Sequence, residues 1–391
     1  MAMNSLVKLT EASSGDSETE ELGDGYEFNE GDEVVRLREW GTHRMLPLRA
    51  PTGRSLHADS VSAVALQLSS RCSARGLELA YESRSWRIKD WAGVANLKQD
   101  GAATREVTLV AGTEVSIAGK TLIAESPRTL ELRDFCSRLL GWSDDHIGVV
   151  DQVMRTIRLA NTGRAALVLR GRGDMVPIAF AIHRRVLEKA APFLVSDPRR
   201  GNTPATVRGP ANCVNGMVAF RKGFGGTLCV RAERLPSDFD EVLQAFREPD
   251  SGVRLVICSS GSVRNAFSTV TLAAIEVPSL DTRRDELARI VHEYAVDAIE
   301  SLCAPRNCLH SQDLAWVSQL PHATLSGIER TLQRVVAIKT SRNLSEAAKR
   351  LTMAPVSLFR WLARREQFSK TSALYLHALV KHWRRKRRRH A

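Results

Sequence analysis

Near Ser126 the spacing of apolar residues changes, and the change divides the chain into segments that cannot share one fold class. From Glu33 up to that point short apolar runs alternate at period two: Val34-Val-Arg-Leu-Arg38, Gly76-Leu-Glu-Leu-Ala-Tyr81, Trp86-Arg-Ile-Lys-Asp90, Val107-Thr-Leu-Val110, Val115-Ser-Ile117 and Thr121-Leu-Ile-Ala124. Successive strand side chains point to opposite faces, so this alternation, punctuated by Gly and Asp, predicts an all-β sandwich of about ninety residues. Beyond Ser126 apolar residues recur three and four apart, from Arg128 to Leu140 and from Ile147 to Ala160, as on amphipathic helices.

The pattern then becomes mixed. Ala165-Ala-Leu-Val-Leu169 leads through a glycine-bearing turn into a helix over Val176 to Ala190. Further β-like runs follow at Phe193-Leu-Val195, Thr227-Leu-Cys-Val230 and Val253-Arg-Leu-Val-Ile-Cys258. Strands alternating with helices predict a parallel sheet covered by helices. After Asp285 the chain reads as helical, with breaks at Pro305 and Pro321. Residues 1–31 are acidic and polar, with too few apolar side chains to offset the entropy of ordering. The expected organisation is a disordered tail over 1–31, a β-sandwich over 32–125, an α/β domain with a helical lid over 126–310, a helix-turn-helix domain over 311–378 and a basic tail over 379–391.

Charge is localised as sharply as periodicity. Residues 340–391 hold 14 Lys/Arg against Glu346 and Glu366, a surplus equal to the +12 of the whole chain. The other 339 residues are therefore neutral in sum. Within this end, Asn343 to Arg365 reads as two short helices joined by a tight turn, with positive charge on the second helix and beyond, a layout suited to DNA phosphates. Ser345 is the expected N-cap of the first helix, with Ala347, Ala348 and Leu351 inward. Pro355 opens the second helix, with Leu358, Phe359, Trp361 and Leu362 packing inward. That leaves Val356, Ser357, Arg360, Arg364 and Arg365 as the DNA-facing set. Lys381 to His390 adds sequence-independent phosphate attraction, with a steep salt dependence.

Seven scattered cysteines (Cys72, Cys136, Cys213, Cys229, Cys258, Cys303, Cys308) lack metal or redox spacing and are expected to be buried reduced thiols. With no secretory leader and no run of about 18 apolar residues, a cytoplasmic protein is expected.

The central segment, over residues 126 to 330, resembles the AAA+ domain of bacterial enhancer-binding regulators that activate sigma-54 polymerase. Ala181-Ile-His-Arg-Arg185 with Pro192-Phe193 is similar to the helix after the phosphate loop and the strand that follows. Gly225-Gly-Thr-Leu-Cys-Val-Arg-Ala-Glu-Arg-Leu-Pro236 is similar to the Walker B strand, and Val277 to Leu287 to the entry to the lid. The residues that carry the chemistry differ. A phosphate loop needs glycines whose N–H groups wrap phosphate and a Lys that reaches it. The corresponding turn, Arg170-Gly-Arg-Gly-Asp-Met-Val-Pro177, has no Lys and carries Asp174. Arg231-Ala232 stands where two Mg²⁺-holding acids belong, and Asp197 to Gly225 is too short for the sigma-54-gripping loop. The expectation is a packing scaffold without enzymatic activity, with no catalytic residue, metal or cofactor. A lesser alternative has Arg170, Arg172 and Arg231 lining the vacated cleft to bind another anion.

Residues 45 to 124 resemble a forkhead-associated (FHA) domain, carried by Gly53-Arg54, Ser70-Arg-Cys-Ser-Ala74, Trp86 to Asp90 and Leu109 to Gly119. The resemblance implies phosphothreonine binding through Arg54 and Ser70. Ser73 and Ala95-Asn96 depart from the family's His and Asn-Gly. The C-terminal end resembles the Fis-type helix-turn-helix of the same regulators, with Ile328 to Ile338 as first helix and Thr352 where Gly is usual. Together these imply a DNA-binding transcriptional regulator related to sigma-54 activators but lacking ATPase activity, acting as a homodimer. The alternative is a phosphopeptide- or protein-binding adaptor, with a phosphothreonine protein as a partner, whose basic end tethers to nucleic acid without sequence preference.

Overall fold

The computed structural model describes residues 32–48, 77–82, 85–91, 93, 96–162, 165–187, 190–206, 209–261, 270–320 and 324–366. Arg54, Ser70 and the basic segment beyond residue 366 lie outside them, as does Cys72.

Period-two alternation resolves into two antiparallel sheets. One has strand order β2 (Met45–Pro47), β1 (Arg36–Glu39), β9 (Lys120–Glu125), β8 (Glu114–Ile117), β5 (Lys98–Gln99) and β6 (Ala102–Ala103). The other is β3 (Leu77–Glu82), β4 (Ser85–Asp90) and β7 (Glu106–Leu109). On β4, Trp86, Ile88 and Asp90 turn inward, while Arg87 and Lys89 pair outside with Glu82 and Glu106. Leu37, Trp86, Ile88, Val107, Val115 and Leu122 close the core between the sheets.

Helix α1 (Pro127–Leu140) starts where the period changes because Ser126 and Thr129 form a capping box and Pro127 fits the first turn. After α2 (Ile147–Thr162) comes a parallel sheet of order β12 (Ala211–Cys213), β11 (Phe193–Ser196), β13 (Thr227–Arg231), β14 (Arg254–Ser259), β10 (Ala166–Gly171) and β15 (Leu272–Val277). Both faces are covered, so its strands are apolar on both sides rather than alternating with polar residues. Ala166 and Val168 of β10 pack under α4 (Gly216–Lys222) and α5 (Phe239–Arg247). Leu167 and Leu169 pack on the opposite face, against α1, α2, α3 (Val176–Val186) and α6 (Leu287–Ser301).

That second core runs without interruption into α7 (Ser311–Ser318), α8 (Leu325–Thr340), α9 (Leu344–Arg350) and α10 (Pro355–Glu366). The apolar cluster is thus continuous across residue 310, where the sequence suggested a boundary. Leu325, Ile328, Leu332 and Val336 of α8 are all buried in it.

Sandwich and α/β domain meet through charge. Asp151 on α2 is fully buried; its Oδ1 takes Arg38 Nη2 and lies 2.6 Å from Arg133 Nη2, and its Oδ2 accepts Gly41 N at 2.7 Å. Glu125, also buried, accepts from Arg36 Nε at 2.7 Å, Arg38 Nε at 3.0 Å and Arg133 Nε at 2.6 Å. Burial would raise the Glu125 carboxyl, but Arg133 and Arg38 outweigh it and hold the carboxyl below the usual glutamate range.

Among the described cysteines, Cys136, Cys213, Cys229 and Cys258 are buried and free as expected; Cys303 is exposed and Cys308 half-buried, because both sit in the loop after α6. Among the described residues no helix is long and apolar enough to cross a membrane.

Candidate DNA-binding face and a cleft filled by paired charges

Thr324 caps α8 by accepting from Gly327 N. The cap of α9 is Asn343 rather than Ser345: Asn343 Oδ1 accepts from Glu346 N at 2.8 Å while Glu346 Oε2 accepts from Arg342 N at 2.9 Å, a reciprocal arrangement that Ser345 has no acid to complete. Ala347, Ala348 and Leu351 point inward as expected. The turn to α10 is a Schellman motif, with Met353 N bonded to Ala348 O and Thr352 N to Lys349 O, both 2.9 Å. This requires a left-handed residue, and Thr352 supplies it at φ +49° despite its branched side chain.

Helix α10 buries Leu358, Trp361 and Leu362, Trp361 meeting Trp316 edge-on at 6.5 Å and lying under the Arg334 guanidinium at 5.0 Å. Arg350 ties α9 to the end of α8 and to the turn after α6, donating to Thr340 Oγ1 and Leu302 O. Lys339 of α8 is paired with Asp313 of α7. The helix pair therefore cannot swing independently of the α/β domain without breaking packed contacts.

Val356, Ser357, Arg360 and Arg364 are exposed on α10, on the side away from the core; Arg365 lies in its last turn. Phe359, which the sequence reading placed inward, is 43% exposed and sits with them, while Val356 is 58% exposed. At about 100° per residue Phe359 falls between Leu362 and Ala363, about 60° from Val356. The three apolar positions at 358, 361 and 362 already fill the buried arc.

At the other end of the α/β domain, the turn from β10 to α3 has only Arg172, Gly173, Asp174 and Met175. Gly173 adopts φ +98° against the cap of α8, where a Cβ would lie 3.0 Å from Thr324 Cγ2. Into this site Arg231, at the end of β13, donates from Nη2 to Asp174 Oδ1 at 2.9 Å and from Nη1 to Asp197 Oδ2 at 3.1 Å. Asp197 is fully buried and also faces Arg234 and Arg200 at 3.5 and 3.7 Å. Burial works against the Arg231 charge, yet Asp174 and Asp197 prevail and raise its pKa. Arg231 is thus held between the carboxylate of the β10–α3 turn and the buried carboxylate of Asp197.

Arg170 is committed to Glu276 at 2.9 Å and Arg172 to Asp281 at 2.6 Å. With Arg231 also paired, each of the three guanidiniums named in the lesser, anion-binding alternative already faces a carboxylate. His183 on α3 is likewise structural. Burial lowers its imidazole to about 4, so the ring is neutral, Nε2 donating to Ala191 O and Nδ1 accepting from the Thr227 hydroxyl.

No known family pattern and no curated protein matches the chain in sequence. Among solved structures it is similar to NtrX from Brucella abortus in complex with ATP, at 14% identity over 59% of this chain and 71% of that one, TM-score 0.35. It is also similar to a DNA polymerase III gamma subunit-related protein from Thermotoga maritima, at 14% identity over 59% and 92%, TM-score 0.26. A third is C. elegans PCH-2, at 13% identity over 64% and 73%, TM-score 0.27. The central fold is a six-stranded parallel sheet with helices on both faces, β10 feeding the short turn.

Proposed function

We propose that this protein is a DNA-binding transcriptional regulator related to sigma-54 activators, with an α/β core that does not hydrolyse nucleotide. The observation that carries the reading is the outward face of α10. Val356, Ser357, Arg360 and Arg364 project from a helix whose other side is locked by Leu358, Trp361 and Leu362, at the one end of the chain that holds its whole charge surplus. Arg360, Arg364 and Arg365 neutralise phosphates, and the rigid helix pair sets the approach to the major groove. The Arg231–Asp174 pair supports the inactive core, since bound ATP would have to displace a satisfied cation and approach a carboxylate.

The protein acts in the cytoplasm on this reading. A homodimer would pair through a face other than the apolar side of α8, which is already spent on the core. The full chain should bind mixed-sequence duplex DNA, and Arg360→Ala/Arg364→Ala should weaken binding at least about tenfold and reduce the salt slope by about 2. Equal affinity in the variant would overturn the reading, as ATP hydrolysis above background would overturn the inactive core.

A second reading, a phosphothreonine-binding adaptor, is favoured by the two-sheet sandwich alone. Its test is capture of a threonine-phosphorylated peptide pool, lost on Arg54→Ala.

A further inference from the structure

The apolar residues on the exposed face of α10 have no role in phosphate binding. Val356 and Phe359 are 58% and 43% exposed, one turn apart on the N-terminal half of the helix, and Arg360 and Arg364 share their face. Arginines can serve phosphates from this position, but an exposed Phe beside them costs solubility without adding charge. The N-terminal half of a second helix is the part that reaches base edges in helix-turn-helix docking. The one apolar group offered by base pairs in the major groove is the thymine C5 methyl.

We propose that Val356 and Phe359 are the specificity-determining residues of this face and that they read thymine methyls in duplex DNA. The inference rests on the DNA-binding reading above. Three residues along a helix advance about 4.5 Å, between one and two base-pair steps of about 3.4 Å, so the two side chains address thymines one or two positions apart. Charge complementarity makes duplex DNA the occupant: the face is basic, and the apolar pair lies beside Arg360 on the same stripe. Because Phe359 is outside the buried arc, its truncation leaves the packing of Leu358, Trp361 and Leu362 intact.

The test uses the full chain. Duplexes recovered from a random-sequence pool are resynthesised with deoxyuridine replacing thymidine one position at a time, which removes only the methyl. At one or two positions the exchange should weaken binding about fourfold per methyl. Phe359→Ala or Val356→Ala should abolish the difference at its own position while retaining binding to both duplexes. Sequence-selective binding that ignores the exchange everywhere, or a thymine preference unchanged in both variants, overturns this inference and leaves DNA binding standing. Failure of the unaltered protein to bind any duplex overturns both.

Discussion

Replacing Arg231 by Ala should destabilise the protein by about 2–3 kcal/mol. Removing one member of a buried ion pair costs about 3–5 kcal/mol when the remaining charge is stranded. Asp197 is fully buried, so it meets the condition; but Arg234 and Arg200 stay within 3.5 and 3.7 Å, and Asp174 is 27% exposed and can recruit water. These two features reduce the loss. Arg231→Lys should recover only part of it, because an ammonium cannot fork between Asp174 and Asp197 as the guanidinium does. The assay is urea unfolding followed by tryptophan fluorescence and circular dichroism together. A companion measurement repeats the unaltered protein with millimolar Mg-ATP. A ligand at a hundred times its Kd adds about 2.7 kcal/mol, whereas here the midpoints should coincide. A loss below about 0.5 kcal/mol for Arg231→Ala, the size of an ordinary surface change, or a clear ATP-induced shift, would refute the filled-cleft argument.

Three other predictions follow from particular residues. Thr352→Gly should raise stability by about 0.5–1 kcal/mol, since relief of the left-handed strain exceeds glycine's added chain entropy; an unchanged urea midpoint would contradict it. Asp151→Asn leaves Arg38 and Arg133 with Glu125 as their remaining carboxylate at the sandwich interface and should cost about 2 kcal/mol, read as a lowered unfolding midpoint. Because the Glu125 carboxyl is held below its usual range in the folded chain, its contribution is complete above that range and is lost as pH falls through the lowered value. Glu125→Gln should therefore flatten the acid limb of the stability profile, and an unchanged limb would contradict the assignment.

Much of the fold was legible where periodicity is strong. Trp86 and Ile88 alternate with Arg87 and Lys89, and β4 formed there; the Ser126 cap lies at the period change. Strand β15 was not read because Leu272-Ala-Ala-Ile-Glu-Val277 contains two small side chains and little contrast, and three-residue β12 is too short to show a period. The site was legible only in parts. Asp174 and Arg231 each stood out as departures, but their pairing across 57 residues is a property of strand order, which local pattern does not contain. Phe359 was misplaced for a similar reason. Any apolar residue beside Leu358 reads as core until the width of the buried arc is known, and that width is set by α7 and α8.

The most direct test of the central claim is recovery of duplexes from a library of short genomic fragments by the full chain, at moderate and at high salt, alongside Arg360→Ala/Arg364→Ala. The account predicts a shared sequence that persists at high salt and is lost in the double variant. Recovery with no shared sequence, vanishing with salt equally in both proteins, would contradict a regulator that reads DNA through α10.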